Sequence, residues 1–585
     1  MRPALLVVPL LATLAMVGCS NTPDVPPTST PIAVAVSVAS PTATAAVETP
    51  IATATVEPPA PTVVPLTSTP EPVPTNASPP SALTPNVSAR RGGTLTIVSR
   101  EAIAHQDVQQ EVSSALATWG PGLAYSRLLR FKAGPDVVLP SLAVECELCE
   151  SWEMPDETTF LFRLRDDVLW QDISPVNGRR LGAADLVFSY DRQRTPGWPN
   201  APLLAVIDGI EATEELLLRV TLSAPDADFL AALADGHSKV VAREAVELNG
   251  DLKGGPTIGT GPWILTGSQA DASHTFERNA GYFEAGLPLL ARLNISVIED
   301  EKTRTAAFRT RVVDVQQMEP AEWAEFRDAQ PGAPVLKFPD AGTGLEVALK
   351  TSAPPFDDAR VRRAALLATD PWSAIDDIWL GSAFVSLGLV PVDAGWLLSR
   401  GELQQFFGRP GAARDLLEEA GVELPVPVQI MVGDFGQTLL SHAERIAEEM
   451  RAVGFAPELE QVNRRRFGEE VWLGGDYQMF AGPIAPIATA NGYLLPVLHS
   501  QGAWNTAELR DPGLDSLIER QAGEYDPVLR AELVRLIQRR VFENAYRFMP
   551  ATRISIWTWW PRVRNFHPNF AGSEYSHWSR VWVER

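Results

Sequence analysis

The sequence predicts an α/β protein of more than one lobe, with mixed sheets. Two observations carry this reading. Strand-like runs alternate with helical patterns through much of the chain, the order that builds layered α/β structure. Globular texture also begins only at Arg90 and then continues for about 495 residues, too many for a single hydrophobic core, which implies two or three lobes. No internal repeat of fixed period interrupts the pattern.

The chain starts differently. Arg2 and the apolar run from Ala4 to Val17 make a charged start and a short apolar middle, the form of a secretory signal. The run falls short of the about 20 apolar residues a membrane-spanning helix needs. Met16-Val17-Gly18-Cys19 resembles a bacterial lipobox, in which the cysteine is acylated, although Leu is usual where Met16 stands. The alternative is an ordinary signal peptide with a stray cysteine. From Ser20 to about Ala89 the composition is Pro, Thr, Ala, Val and Ser, which buries too little to offset chain entropy. Such a segment extends by up to about 3.1 Å per residue. It suits a tether from a lipid at Cys19, or a glycosylated spacer in a secreted protein. The net charge of −23 argues against nucleic acid as a partner, since phosphates require a basic patch.

From Arg90 onward the elements follow in order. Gly92 to Val98 reads as the first strand, and Ala102 to Leu129 as helical or irregular. Cys146 and Cys149 form a lone CxxC, two ligands where a structural zinc needs four, so a local disulfide is expected. Ser151-Trp152-Glu153 precedes a turn at Pro155-Asp156. Thr159–Leu164 is a strand, Ala183–Tyr190 a helix and Leu216–Leu222 a strand. Ile258 to Leu265 is a Gly-Pro turn feeding a strand. Leu293–Val297 is a strand and Thr303–Thr310 a helix.

Lys350 to Asp370 is the most informative stretch. Pro354 and Pro355 stop what precedes them, and Asp357 or Asp358 caps the next helix. Val361, Ala364, Ala365 and Ala368 share one helical face, with Arg360, Arg362 and Arg363 largely off it. Gly411–Ala420 is a helix stopped by Gly421, Val428–Val432 a strand, and Leu439–Val453 an amphipathic helix ended by Gly454. Glu458–Val462 is a strand. Asp526 caps and Pro527 opens a helix to about Asn544. Arg553–Trp557 is a late strand.

Several of these segments resemble the bacterial extracellular solute-binding proteins of family 5, the receptors of peptide, nickel and oligopeptide ABC importers. Pro355-Phe356-Asp357-Asp358 with Arg360-Val361-Arg362 is the most specific match. Gly259-Thr260-Gly261-Pro262-Trp263 is similar to the family's GTGPY turn, and Arg278-Asn279 with Tyr282-Phe283 to its RNPxYW stretch. Leu164-Arg165-Asp166 through Phe188 resembles LRdGVkW…tAeDVvfs. Ala413 to Gly421 resembles AkaLLaeAG. The matches stand in family order from Gly92 to the C-terminus.

The resemblance implies a two-lobed periplasmic-binding-protein-like fold, class II and of the large type, with mixed sheets and a hinge. Lobe I would hold residues 92–342 and 550–585, with an inserted subdomain at roughly 130–250. Lobe II would hold 343–549, after a signal peptide at 1–19 and a tether at 20–91. The chain would cross near Phe338–Lys350 and return near Pro550–Trp557. The implied function is a substrate-binding lipoprotein that delivers a peptide-like or other small solute to a membrane permease. The protein is then a monomer, exported and lipid-anchored on the outer face of the cytoplasmic membrane, and neither an enzyme nor a cofactor carrier. A surface ligand sensor or an oligosaccharide-binding receptor on the same fold is the alternative, and a secreted hydrolase a third.

One departure bears on the solute. Many peptide-binding members carry a WxxDYxDP-like segment whose Asp holds the ligand amine. The corresponding stretch, Tyr477 to Ile487, has no acid, and none appears before His499. A buried ammonium without a carboxylate is costly, which points away from an ordinary free peptide. The candidate ligand-binding residues are His105, Trp119, Tyr477, Ala485, Ile487, Trp504 and Trp557, with specificity expected between Tyr477 and Trp504. His105 and His499 are placed to meet in the cleft, although surface positions suit the seven histidines better, and none has metal-ligand spacing. Arg304, Arg309 and Arg311 read as solvated helix charges. No GxSxG elbow or metalloprotease helix is present.

Overall fold

The computed structural model describes residues 91–484, 489–569 and 576–584. The signal, Cys19 and nearly all of the tether therefore lie outside the described residues, as do Ala485 and Ile487.

Four-stranded sheets stand at two places. One has the order Thr94–Ser99, Arg292–Val297, Ser273–Arg278, Trp263–Gln269, its first pair parallel and the rest antiparallel. The other is antiparallel, with Cys149–Asp156, Thr159–Leu164, Leu217–Leu222 and Ile207–Glu214 in that order. Cys146 and Cys149, at its entrance, are joined by a disulfide. A larger mixed sheet runs Val315–Met318, Arg547–Trp559, Val335–Leu349, Met479–Gly482, Val426–Gly433, Phe455–Val462, with Ala383–Ser386 also on Arg547–Trp559.

The two longest strands of that sheet, Val335–Leu349 and Arg547–Trp559, pair antiparallel along most of their length. They run past separate hydrophobic clusters. Leu345, Val347, Leu349, Phe548 and Ala551 belong to one core, while Phe338 and Trp557 belong to another. The register slips between Pro339 and Gly344 and again between Leu345 and Val347. Prolines in a strand favour such irregular places because they cannot donate to the ladder.

The helix expected after Pro355 is Ala359–Ala368, with Asp358 accepting from the Arg360 amide at 2.7 Å as its cap. Val361, Ala364, Ala365 and Ala368 are buried as their spacing requires, but Arg362 is buried too. Its guanidinium donates to the carbonyls of Phe356, Asp357 and Asn544. Carbonyl acceptors let a cation sit on an apolar face, a possibility that helical spacing does not reveal. Ala102 to Leu129 is mostly irregular, with short helical turns at Ser114–Ala117 and Pro121–Ala124.

A buried polar cluster ties the loop after Leu217–Leu222 to helices far along the chain. Arg530 Nη1 donates to Asp228 Oδ1 at 2.6 Å, and the Asn491 amide donates to Asp228 Oδ2 at 2.7 Å. Asn491 Nδ2 donates to Asp226 Oδ1 at 2.7 Å, and Gln521 Nε2 to Asn491 Oδ1 at 2.8 Å. The Ala227 amide adds a bond to the Ala522 carbonyl at 2.8 Å. Burial, and then the Asp228 charge, push the Asp226 carboxyl above its usual range.

His237, His274 and His442 are buried rather than superficial. His442 accepts from Trp379 Nε1 at 3.1 Å, and burial holds its pKa down at about 3. On the same helix, burial pushes Glu449 up to about 7, while its Oε2 accepts from the Asp370 amide at 3.0 Å. The folded state therefore binds a proton at Glu449 that the unfolded state releases between about pH 4.5 and 7. This stabilisation is complete at low pH and is lost as pH rises through the folded pKa. His442 has the opposite slope, so the informative quantity is the difference between a variant and wild type. Glu449→Gln is expected to gain on wild type as pH rises from 5 to 8, by on the order of 2 kcal/mol in urea unfolding. An equal difference at both pH values would show that Glu449 does not titrate this way.

Candidate functional site

A cavity of about 170 Å³ opens at the ends of strands Thr94–Ser99 and Val315–Met318, with Arg100, Arg304, Gln317, Trp119 and Trp557 in its wall. A second, of about 160 Å³, adjoins it, sharing Ser114, Trp119, Gln317 and Trp557 and adding Asp340 and Ser555. The two share an aromatic wall, Trp119 and Trp557.

Local structure fixes that wall. Ser113 caps Ser114–Ala117 by accepting from the Leu116 amide at 3.2 Å. The following turn packs its backbone against the Gly259–Gly261 turn, where the Gly261 amide donates to the Ala124 carbonyl at 2.9 Å. A Cβ at Gly259 would lie 2.0 Å from that same carbonyl oxygen, which is why glycine stands there. Trp119, carried by this segment, stacks on Trp557 with centroids 5.9 Å apart and planes at 18°. Trp578 meets Trp119 edge-on from behind, at 5.9 Å.

Polar groups line the rest. Gln317 Nε2 donates to Ser555 Oγ at 3.0 Å, and Ser555 Oγ donates to Asp340 Oδ2 at 2.7 Å. These residues come from three strands adjacent in the mixed sheet, so the network is set by strand register. Arg100 Nη2 donates to the Gln317 carbonyl at 3.0 Å. Arg304 is buried at 7% exposure, which corrects its reading as a solvated helix charge. It turns back under its own helix and donates to the Ile298 and Glu299 carbonyls.

A third, small cavity of about 20 Å³ lies among Glu346, Arg547, Tyr493, Trp472, Phe480 and Trp504. It has room for roughly one water. Glu346 and Arg547 form a buried ion pair at 2.9 Å, and the Tyr493 hydroxyl lies 3.1 Å from Glu346. Burial pushes the Glu346 carboxyl above its ordinary range.

The sequence candidates thus separate. Trp119 and Trp557 come together in the large cavity, and Trp504 lines the small one. Tyr477 is not in either wall; it is buried, with its hydroxyl 3.2 Å from Thr506 Oγ1 and its ring edge-on to Phe480. His105 lies beside Glu111 at 3.9 Å and accepts from the Asp107 amide, while His499 contacts Glu519 at 3.1 Å, so each imidazole is engaged with its own neighbours. The 477–499 stretch holds no acid; the carboxylates lining the second and third cavities, Asp340 and Glu346, both stand on the long strand Val335–Leu349. Sequence reading missed both, as it missed Arg100, Gln317 and Ser555, because only strand pairing brings them to the site. Among the described residues no group of three His, Cys, Asp or Glu side chains is placed to hold a metal ion.

Comparison with known proteins decides the family. The model of the bacterial extracellular solute-binding proteins, family 5 (middle), matches residues 143–505, more than half of the chain. The chain belongs to this family. A relative, the probable di/tripeptide-binding protein 5 of Pseudomonas aeruginosa (strain UCBPP-PA14), is 27% identical over 491 residues, covering 77% of this chain and 89% of that protein. Heme-binding protein A of Haemophilus influenzae is 25% identical over 476 residues, covering 76% of this chain and 84% of that protein. Among solved structures, the periplasmic binding protein DppA of Helicobacter pylori, in complex with the peptide STSA, matches with a TM-score of 0.69 at 20% identity, covering 85% of this chain and 99% of that one. The two-lobed fold of such proteins is the fold of this receptor, and its function is solute binding for an ABC transporter.

Proposed function

We propose that this receptor captures a short peptide-like solute between two lobes and passes it to a membrane permease, with no reaction of its own. Lobe I would comprise residues 92–342 and 550–585, and lobe II residues 343–549. The partition is supported by a hydrophobic cluster whose members run from Leu345 to Met549, with Ala551 alone just past the boundary. Closure about the two long strands would then convert binding into a signal for the permease. A monomer exported to the periplasm or cell surface and held by a lipid on Cys19 fits the signal-like start and the extended tether.

One observation carries the peptide reading. The second cavity sets the half-buried carboxylate of Asp340 beside the Trp119–Trp557 stack, giving an ammonium its counter-charge and an apolar side chain its surface. Asp340 would then take the part that the acid-free 477–499 stretch leaves open. The same aromatic wall favours a second reading, an oligosaccharide stacked on Trp119. Thermal unfolding with tripeptide and oligosaccharide panels separates the two. A tight peptide at one hundred times its Kd is expected to add about 2.7 kcal/mol to wild-type stability. Trp119→Ala is expected to lose most of that gain. A shift with oligosaccharides alone would replace the peptide reading with the sugar one.

A further inference from the structure

We infer that the Arg100–Arg304 end of the large cavity seats an anionic group of the solute, the C-terminal carboxylate of a peptide whose ammonium faces Asp340. This rests on the peptide reading above and adds a direction and a charge requirement to it.

The observation is an unbalanced pair of cations. The buried arginines Arg127, Arg130, Arg530 and Arg547 each meet a carboxylate: Glu147, Glu145 with Glu284, Asp228 and Glu346 respectively. Arg362 is held by three carbonyls and lines none of the cavities described above. Arg304 is different. Two carbonyls take its Nη1, its buried Nε has no hydrogen-bond partner, and the side chain lines the cavity. Neither Arg304 nor Arg100 makes an ion pair with any described carboxylate.

The neighbouring acids are engaged. Glu319 pairs with Arg553 at 3.3 Å, and Glu322 accepts from the Glu319 amide at 3.3 Å and from the Thr305 hydroxyl. Glu101 also lines the cavity, but it is exposed and solvated. Burial, and then the Arg304 charge, push the Arg100 pKa down, with the Glu319 and Glu322 charges opposing in part. An entering carboxylate offsets that burial with charge-assisted hydrogen bonds, which planar guanidinium groups form with good geometry.

The two adjoining cavities thus differ in sign. Asp340 stands in the part shared with Ser555, and Arg100 and Arg304 stand in the part beyond Gln317. Trp119 and Trp557 lie in the wall of both. A zwitterion aligned along the stack satisfies both ends, whereas a reversed one faces like charge twice.

The test uses the purified full chain and one tripeptide library in three forms: free, C-terminally amidated and N-acetylated. Ligand retained after gel filtration is measured by mass spectrometry. Wild type is expected to retain free peptides over amides by on the order of tenfold. Arg100→Gln is expected to abolish that preference while unfolding at the wild-type temperature. Arg304→Met also removes two bonds that hold its helix, so Arg304→Lys, which keeps a cation, is the second variant and is expected to retain part of the preference. Equal retention of free and amidated peptides, with N-acetylated ones rejected, overturns this inference and leaves the peptide receptor standing. An acid preference that survives in Arg100→Gln also overturns it. Retention of none of the three forms overturns the peptide reading and this inference together.

Discussion

Arg530→Met is expected to lower the stability of the globular chain by about 3–5 kcal/mol, the usual cost of leaving one member of a buried ion pair alone. The partner left behind is Asp228, 3% exposed, with the Asp226 carboxylate beside it. Asn491 and Gln521 still donate around the site, but neither carries charge. Two carboxylates then share a buried site with no cation. Urea unfolding followed by tryptophan fluorescence reads the effect. Asp228→Asn combined with Arg530→Met is expected to recover much of the loss, because only the half-buried Asp226 carboxyl then remains, and Asn491 still donates to it. A single variant that unfolds at the wild-type midpoint would show that the pair is solvated in solution. The cluster joins the 226–228 loop to Asn491 and Arg530, residues that fall on opposite sides of the proposed lobe division. Small-angle scattering of the ligand-free variant should therefore report a larger radius of gyration than wild type.

Gly259→Ala is expected to cost about 3 kcal/mol or more and to abolish ligand binding as well. The added methyl would lie 2.0 Å from the Ala124 oxygen, 2.6 Å from its carbon and 2.7 Å from the Tyr125 Cα. All three are backbone atoms, so no side-chain rotation relieves the clash. The chain must move, and the segment that moves carries Trp119. Gly267→Ala is the control, since its Cβ meets nothing closer than 3.9 Å. It should stay within about 0.5 kcal/mol of wild type and bind normally. If Gly259→Ala binds ligand as wild type does, the position of Trp119 does not depend on this turn.

Elements with local causes were legible in the sequence. Asp526 caps Pro527–Asn544 through the amides of Val528 and Leu529. Gly421 and Gly454 end their helices with φ of 69° and 119°, values that favour glycine. The two longest strands were read only in part, because Pro339, Gly342, Gly344 and Pro550 look like turn signals. In the fold they fall at the register slips of an otherwise continuous pair. The site was half legible. Trp119 and Trp557 stood out as aromatics in the early segment and at the return crossing. Asp340, Arg100 and Arg304 did not, since nothing local distinguishes a cavity-facing charge from a solvated one. Arg100 and Asp340 are set by residues more than 200 positions away, Gln317 and Ser555.

The pairing of Val335–Leu349 with Arg547–Trp559 also governs when the molecule can fold. Arg547–Trp559 contributes to the edges formed by Val315–Met318, Val335–Leu349 and Ala383–Ser386. Every one of these strands precedes it by well over one hundred residues. A chain that emerges N-terminus first presents its edges long before the strand that joins them exists. Such high contact order delays cooperative closure until the polypeptide is almost fully released. The strand that locks the large sheet shut is thus among the last to emerge, followed only by the short pair Val563–Arg564 and Trp582–Val583 among the described residues.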